Sequence, residues 1–206
     1  MTHQPRSTAL VIMAKAPEAG LAKTRLIPAL GAEGAAQLAK QLLDHTIRAA
    51  RQASALNHLE LCVTPHTDHP TFSMYKELTI TEQAPGDLGQ RMLAAFERVL
   101  SEHDRAIMIG TDAPGITAAA LNRAAVDLAA HDAVFIPALD GGYALVGLKK
   151  VWPALLTDMP WSTAHVMQTT RERLKDLDLR WLEYTPVADI DEEQDLIHLP
   201  EGFVLG

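Results

Sequence analysis

The stretch that decides the fold is TALVIMAKAPEAGLAKTRL, residues 8–26. Its first seven residues, 8–14, are mostly apolar and include β-branched side chains, which predicts a buried strand. The loop that follows contains Gly20 and three cations, Lys15, Lys23 and Arg25. Because ligands of open α/β sheets bind outside the carboxyl ends of the strands, and because lysine and arginine suit phosphate oxygens, we expect this loop to contact a phosphate. The alternative is a solvated basic loop; the spacing of a Walker A motif is absent.

Short apolar runs alternate with segments of helical periodicity along the rest of the chain, as in βα units around a largely parallel sheet. Apolar residues recur at three- and four-residue steps in three predicted helices, residues 33–53, 88–100 and 117–130. The predicted strands are residues 8–14, 58–64, 78–81, 105–109, 133–137, 143–148 and 179–184. A tight turn at residues 140–142 can join antiparallel neighbours. We therefore expect an α/β protein, a three-layer α/β/α sandwich with a mixed, mainly parallel sheet, in which residues 1–206 form a single domain.

Composition and charge exclude several classes of protein. The 206 residues include 26 acidic and 18 basic side chains, for a formal net charge of -8. Such a molecule offers no broad surface for a polyanion, so we expect no nucleic-acid partner. No apolar run reaches the ~20 residues of a spanning helix, which predicts no membrane span. The single cysteine, Cys62, rules out a disulfide framework within the chain, and residues 9–14 favour a strand over a signal peptide, so we expect a cytoplasmic location.

Asp112 directly follows a predicted strand, in the sequence Gly110-Thr111-Asp112. A carboxylate there is a hard oxygen ligand that can hold Mg²⁺ or Mn²⁺ against a diphosphate, and Gly110 permits close approach of the backbone. The alternative is that Asp112 caps the next helix, although Thr117 is better placed as its N-cap.

Asp191 lies in a second acidic segment, which follows the last predicted strand and opens a predicted terminal helix. It is either the N-cap of that helix or a second ligand to the same cation. In an extended segment Asp189 and Asp191 point in different directions, so we expect only one of them to face the site.

Two further segments could lie beside a ligand. Gly86, Asp87 and Arg91 stand at the start of a predicted helix, where they either approach a nucleotide or simply begin the helix. The turn at residues 140–142 leaves room for a ligand, and the Tyr143 ring that follows it either stacks on that ligand or packs inside the protein.

These motifs, in this order, resemble the bacterial DUF2064 family, also called transferase 1 of the radical-SAM/selenodomain-associated group. The resemblance rests on residues 15–20, 23–26, 86–92, 110–114 and 140–143, and it spans nearly the whole chain. The family is similar to compact members of the GT-A fold, the nucleotide-diphospho-sugar transferase architecture that glycosyltransferases and nucleotidyltransferases share.

The resemblance implies a nucleotide over the carboxyl ends of the strands and a Mg²⁺ or Mn²⁺ cofactor. It places Asp112 at the position of the metal-binding aspartate. Asp189-Ile190-Asp191 resembles the Asp-x-Asp-Thr-Pro-Glu-Asp-Leu ending of several nucleotidyltransferases, in which the second aspartate ligates the metal, although residues 192–194 depart from that pattern. The expected nucleotide and phosphate contacts are Lys15, Gly20, Lys23, Arg25, Gly86, Asp87, Arg91 and Thr111. The expected metal ligands are Asp112 and Asp191, and the expected acceptor side is Gly141, Gly142 and Tyr143. The expected catalytic residues are Asp112 and Asp140, the latter as a candidate base from its position alone.

Three functions follow from this interpretation. A glycosyltransferase would bind a nucleotide-sugar donor and pass its sugar to a small acceptor, which the family's customary name favours. A nucleotidyltransferase would bind a nucleoside triphosphate and release pyrophosphate, which the three cations of the basic loop favour. A nucleotide-binding regulator without catalysis is the third, and the presence of Lys23, Arg25 and Asp112 together argues against it.

Overall fold

The computed structural model describes residues 7–205. The strands are β1 (Thr8–Lys15), β2 (His58–Thr64), β3 (Thr79–Glu82), β4 (Arg105–Ile109), β5 (Ala133–Pro137), β6 (Tyr143–Leu148) and β7 (Trp181–Glu183). The α-helices are α1 (Ile27–Gln52), α2 (Leu88–Leu100), α3 (Ala118–Asp127) and α4 (Val166–Asp176). Short 3-10 helices are formed by Thr24–Leu26, Phe72–Tyr75, Pro153–Leu155 and Glu193–His198.

The strands form a seven-stranded sheet with the order β3-β2-β1-β4-β6-β5-β7. β6 is antiparallel to both of its neighbours, β4 and β5, and the other pairs are parallel. The expectation of a mixed, mainly parallel sheet is therefore confirmed. β5 and β6 are joined through residues 138–142, so the turn at Asp140 connects antiparallel neighbours as its sequence indicates.

Helices cover both faces of the sheet, because the strands alternate apolar side chains between two cores. Along β1, Leu10 and Ile12 pack with apolar residues of α1 and α3 on one face. Ala9 and Val11 point to the opposite face and pack with residues of α2 and α4. This arrangement confirms the three-layer α/β/α sandwich.

Several elements differ from the sequence prediction in their bounds. β1 runs one residue further, β3 starts one residue later, and β7 is shorter than the apolar run that contains it. α1 begins at Ile27 because Pro28 is tolerated in the first turn, and Gly31 (φ 71°, ψ 169°) breaks its regular geometry. α3 begins after Thr117, which is its N-cap and accepts a hydrogen bond from the Ala120 N–H at 3.2 Å, as expected.

The sequence prediction missed α4 and overestimated the C-terminal helix. The buried side of α4 is the narrow stripe Val166, Met167, Thr170 and Leu174, and a threonine within it weakens the apolar periodicity. The C-terminal segment forms only the 3-10 helix Glu193–His198, in which no residue is fully buried and Leu196 packs partly buried against the cluster around Ile190, so packing gives it little support.

Every parallel strand ends at the same edge of the sheet. The loops that follow β1, β4, β5 and β7 therefore lie at that edge. β6 starts at that edge because it runs in the opposite direction. The motifs that the sequence singled out therefore meet at one edge, which we call the carboxyl edge. Among residues 7–205, no helix is both long and apolar enough to cross a membrane.

Candidate active site

Lys23 is at the centre of the carboxyl edge. Its Nζ lies 2.5 Å from Asp112 Oδ1 and 2.9 Å from Asp191 Oδ1. The same ammonium donates a hydrogen bond to the Ile190 carbonyl oxygen at 2.5 Å. Three oxygens from two separate loops thus converge on one cationic atom. The structure brings together three residues that the sequence places far apart.

The two acidic loops are held in place by the backbone and by the core. The Ile190 N–H donates to the Asp112 carbonyl oxygen at 2.8 Å, which joins the loop after β4 to the segment after β7. The Ile190 side chain is fully buried in a small apolar cluster with Leu26, Leu38 and others on α1 and its flanks. The convergence therefore depends on packing as well as on charge.

The Lys23 backbone adopts a left-handed conformation, with φ 47° and ψ 45°. A side chain with a Cβ rarely occupies this region, and observed cases concentrate at functional sites. The conformation occurs where the loop after β1 turns into the 3-10 helix Thr24–Leu26, for which Lys23 is the N-cap.

The electrostatics of the site favour a buried cation. The Lys23 side chain is only 8% exposed, whereas those of Asp112 and Asp191 are 49% and 43% exposed. Burial alone lowers the pKa of the Lys23 ammonium, but Asp112 and Asp191 outweigh it and raise this pKa above its ordinary value of 10.5. Lys23 is therefore charged at any physiological pH.

The same oxygens fit a divalent cation. Two carboxylates and a main-chain carbonyl are hard oxygen donors, and all three lie within 3 Å of a single point. Within residues 7–205, no group of three or more histidine, cysteine, aspartate or glutamate side chains could enclose a metal by itself. A cation here would take its remaining ligands from phosphate oxygens and water, as Mg²⁺ often does.

Asp191 could be either the N-cap of the following helix or a site residue, and the position of Glu192 shows that it is not the N-cap. Glu192, not Asp191, is the N-cap of the 3-10 helix Glu193–His198, and Asp195 completes its capping box. The Asp191 backbone N–H donates to Asp195 Oδ2 at 3.0 Å, so the Asp191 carboxylate remains available for Lys23. The interpretation of Asp191 as the helix cap is wrong.

The basic loop folds into a compact turn beside this point. Lys15 Nζ donates to the Leu21 carbonyl oxygen at 2.8 Å and so ties the two ends of the loop together. Gly20 has φ 80° and no neighbouring heavy atom within 4 Å of the position of a Cβ, so the tip of the loop is open. Arg25 is 65% exposed and lies 3.7 Å from Glu192. Lys15 and Arg25 are thus exposed cations on the loop that carries Lys23.

The loop after β4 is equally open. At Gly110 no heavy atom lies within 4 Å of the position of a Cβ, and the residue is exposed. Thr111 is half-buried between Gly110 and Asp112. A ligand can approach this backbone closely.

The start of α2 lies at the same edge, and its polar groups serve the helix. Asp87 is the N-cap and accepts from the Gln90 N–H at 2.9 Å, while the Gln90 side chain accepts from the Asp87 N–H at 2.9 Å. Arg91 Nε donates to the Gly86 carbonyl oxygen at 2.8 Å. These bonds agree with the alternative that the motif begins the helix. Its contact with a nucleotide stays a prediction.

The turn between β5 and β6 is packed against the segment that leads into α4. Asp140 Oδ1 accepts from the Gly142 N–H at 2.8 Å. Gly141 has φ 93°, and a Cβ there would lie 2.3 Å from the Ala164 carbonyl oxygen, so this contact requires glycine. The Met167 N–H donates to the Gly141 carbonyl oxygen at 2.8 Å and holds the two segments together.

Tyr143 packs inside the protein rather than standing free at the edge. Its ring is 5.5 Å from that of Phe135 and 6.2 Å from that of Trp161, both in edge-on geometry. Burial raises the pKa of its hydroxyl, so the phenol stays neutral. This is the packed alternative, and stacking of the ring on an acceptor is not supported by its position.

Asp189 is a neighbour of Asp140 that the sequence did not single out as a site residue. Burial and, after it, the charge of Asp140 raise the pKa of Asp189 to about 6. Asp189 is thus close enough to Asp140 to feel its charge, while the Asp191 carboxylate pairs with Lys23. The sequence prediction also missed the Ile190 carbonyl oxygen, because every residue type carries a main-chain carbonyl and none indicates that it is a ligand.

The fold defines the class to which this structure belongs. It is similar to a crystal structure from Desulfovibrio desulfuricans G20 that is described as a candidate nucleotide-diphospho-sugar transferase, with 28% identity, a TM-score of 0.85, and coverage of 93% of this chain and 85% of that chain. The mixed seven-stranded sheet between two helical layers is thus the fold of the nucleotide-diphospho-sugar transferases.

The chain belongs to the DUF2064 family. The family model, described as "Uncharacterized protein conserved in bacteria (DUF2064)", matches residues 29–163. That span includes Asp112, whereas Lys23 and Asp191 lie outside it. No curated protein matches this sequence.

More distant structures share the fold alone. A CMP:2-keto-3-deoxy-manno-octonic acid synthetase complexed with CTP is 12% identical, with a TM-score of 0.56 and coverage of 93% of this chain and 95% of that chain. Rv0371c from Mycobacterium tuberculosis H37Rv, in complex with manganese, is 17% identical, with a TM-score of 0.56 and coverage of 97% and 100%.

Proposed function

We propose that this protein is a divalent-metal-dependent transferase that takes a nucleotide-sugar donor and passes its sugar to a small acceptor. The observation that carries the proposal is the convergence of Lys23, Asp112 and Asp191 at the carboxyl edge of the sheet. Ligands of open α/β sheets bind at this edge, and these groups are suited to a diphosphate and its cation.

In the proposed complex the exposed cations contact the diphosphate. Lys15 and Arg25 are exposed on the loop after β1 and would neutralise phosphate oxygens. Gly20 and Gly110 leave the backbone open to the ligand. The start of α2, with its N-terminal N–H groups, would lie beside the rest of the nucleotide.

Asp112 and Asp191 would hold Mg²⁺ or Mn²⁺, with the Ile190 carbonyl oxygen beside them. A divalent cation at this point supplies charge neutralisation to the diphosphate as it leaves. The acceptor would enter from the turn at residues 140–142, where Asp140 is the candidate base and Asp189 lies within electrostatic reach of it.

Nucleotidyl transfer is the second candidate, and the basic loop favours it. Three cations, Lys15, Lys23 and Arg25, suit a triphosphate at least as well as a diphosphate. A similar fold also binds CTP in the 12% identical synthetase. The two candidates share the site and differ in the bond that breaks: the sugar–phosphate bond, or the bond between the α- and β-phosphates.

The first test is thermal stability with UDP-, GDP- and ADP-sugars and with nucleoside triphosphates, each with Mn²⁺ and with a chelator. A donor at ~100 times its dissociation constant adds ~2.7 kcal/mol to the free energy of unfolding. We expect selective stabilisation that requires the metal. Turnover with the selected donor then separates the candidates, because release of a nucleoside diphosphate indicates glycosyl transfer and release of pyrophosphate indicates nucleotidyl transfer.

Asp112→Asn tests the site itself. We expect about a tenfold or greater loss of donor affinity in Mn²⁺, because the variant loses one anionic ligand to the cation. Without ligand the stability should change by less than ~1 kcal/mol, since the Asp112 carboxylate is half-exposed. Asp176→Asn, at the exposed end of α4 on the opposite edge, is the matched control and should bind the donor like the wild type. Equal donor affinity in both variants would remove Asp112 from the site.

A further inference from the structure

The Lys23 ammonium occupies the one point on which the three oxygens converge. The distances from Nζ to Asp112 Oδ1, Asp191 Oδ1 and the Ile190 carbonyl oxygen are 2.5, 2.9 and 2.5 Å. The proposed metal ligands are thus already engaged by a cation that belongs to the protein itself.

The backbone that carries these oxygens is held by contacts other than those of Lys23. The hydrogen bond from the Ile190 N–H to the Asp112 carbonyl oxygen fixes the distance between the two loops. The buried Ile190 side chain anchors the segment in the core, and Asp195 holds the Asp191 backbone N–H. If the ammonium left, these backbone segments would still carry two carboxylates and a carbonyl beside one another, and the carboxylates would have lost the Lys23 charge.

A divalent cation and the ammonium cannot share this point. Both would need the same carboxylate oxygens, and two positive charges a few ångströms apart in a partly buried site repel each other strongly. One of the two must therefore be absent when the other is present.

We propose that Lys23 competes with the divalent cation for this point, so that the metal enters only when the lysine side chain withdraws. The proposal rests on the proposed function for the identity of Asp112 and Asp191 as metal ligands. It follows that metal alone binds weakly to the free protein. The phosphates of a nucleotide, by attracting Lys23 away from the carboxylates, would admit the metal together with the nucleotide.

The test measures Mn²⁺ alone, without any nucleotide, by the electron paramagnetic resonance signal of free Mn²⁺ during titration of the full chain. Lys23→Met removes the competing charge and keeps an unbranched side chain in the buried position. We expect it to bind Mn²⁺ about tenfold or more tightly than the wild type. Lys76→Met, an exposed lysine just before the amino end of β3, makes the same change in net charge at the opposite edge, and we expect it to change the affinity by less than about twofold.

A second substitution tests whether the Mn²⁺ that Lys23→Met binds more tightly lies at the proposed point. In the double variant Lys23→Met with Asp112→Asn, the gain in Mn²⁺ affinity should disappear. Equal Mn²⁺ affinity in the wild type and in Lys23→Met would overturn the proposal, and so would a gain that survives in the double variant. If Lys23→Met does not fold, as judged by circular dichroism, Lys23→Gln keeps a donor for the Ile190 carbonyl and serves the same comparison.

These results stand apart from those for the proposed function. The Mn²⁺ titration contains no donor, so competition at this point can be demonstrated or refuted whether or not any nucleotide binds. Failure of every nucleotide to stabilise the wild type would reject the transferase and leave the result for Lys23 unchanged.

Discussion

Glu60 is a buried charge on the central part of β2, and Arg98 of α2 neutralises it. The Glu60 side chain is 4% exposed and forms an ion pair with the Arg98 guanidinium, which is 39% exposed. Thr81 Oγ1 donates a further hydrogen bond to Glu60 at 2.7 Å. Arg98→Met leaves this carboxylate in the core without its counter-charge, so we expect the free energy of unfolding to fall by about 2–3 kcal/mol at pH 7.

Chemical denaturation of the wild type, of Arg98→Met and of the double variant Arg98→Met with Glu60→Gln checks this expectation. Adding Glu60→Gln to Arg98→Met removes the unpaired charge and should recover part of the loss. If Arg98→Met unfolds at the same denaturant concentration as the wild type, water reaches Glu60 and the pair is not structural.

At the scale of residues, the sequence predicted the side chains of the site better than its main-chain groups. Lys23 could be singled out because it lies in a cationic loop after a predicted strand, and Asp112 because it follows a predicted strand and Gly110. Asp191 remained ambiguous, since an aspartate before a helix suits a cap as well as a ligand, and only the position of Glu192 decides between them. The Ile190 carbonyl could not be predicted, because any residue carries one.

At the scale of elements, the turn between β5 and β6 depends on a close contact with the segment before α4. Gly141→Ala places a Cβ 2.3 Å from the Ala164 carbonyl oxygen and also forces φ 93° on an alanine. We expect a loss of about 2 kcal/mol or more in the free energy of unfolding, because both strain and steric overlap are introduced. The turn at residues 140–142, which is the proposed acceptor side, should be displaced with it.

Gly20→Ala is the matched control for this substitution. Gly20 has φ 80° but nothing within 4 Å of the position of a Cβ, so the change introduces strain without overlap. It should cost about 1 kcal/mol. Thermal unfolding of both variants separates the two effects, and equal losses would show that the contact with Ala164 is not tight.

The elements whose bounds could be predicted are those in which the apolar residues repeat with one clear period, either that of a helix or that of a strand. α2 and the strands β2, β4, β5 and β6 have the bounds that their apolar patterns indicate. α4 was missed because it buries only a narrow stripe, and its register is fixed by tertiary bonds such as that from the Met167 N–H to the Gly141 carbonyl. Such bonds connect distant parts of the chain and leave no local pattern.

At the scale of the whole molecule, the order of the strands is what assembles the site. The sequence indicates a β5–β6 turn, but not that β6 lies between β5 and β4. That insertion brings the turn at residues 140–142 to the same edge as the loops after β1 and β4. A chain of net charge -8 thereby concentrates both its basic loop and a cluster of carboxylates at one edge, where local geometry rather than overall charge determines which ligand binds.

The stability of the whole molecule in acid depends in part on one ion pair, that between Arg171 and Glu183. Arg171 of α4 donates to Glu183 of β7 with Nη2–Oε2 at 2.7 Å and Nε–Oε1 at 3.0 Å, and Trp181 Nε1 donates to Oε1 at 2.8 Å. These bonds hold the pKa of Glu183 below its ordinary value of 4.5. Because the folded pKa is lower than the unfolded pKa, the pair stabilises the fold above pH 4.5, and this contribution is lost as the pH falls through the lowered folded value.

Glu183→Gln should therefore lower the free energy of unfolding by about 1 kcal/mol at pH 7, since the Glu183 side chain is mostly buried and the pair is bidentate. The difference between variant and wild type should shrink as the pH is lowered below the ordinary glutamate pKa, where the wild-type carboxylate also becomes neutral. Urea denaturation of both proteins at neutral pH and at several acidic values measures this gap. A gap that stays constant over the whole range would mean that the shape of the side chain, and not its charge, links α4 to β7.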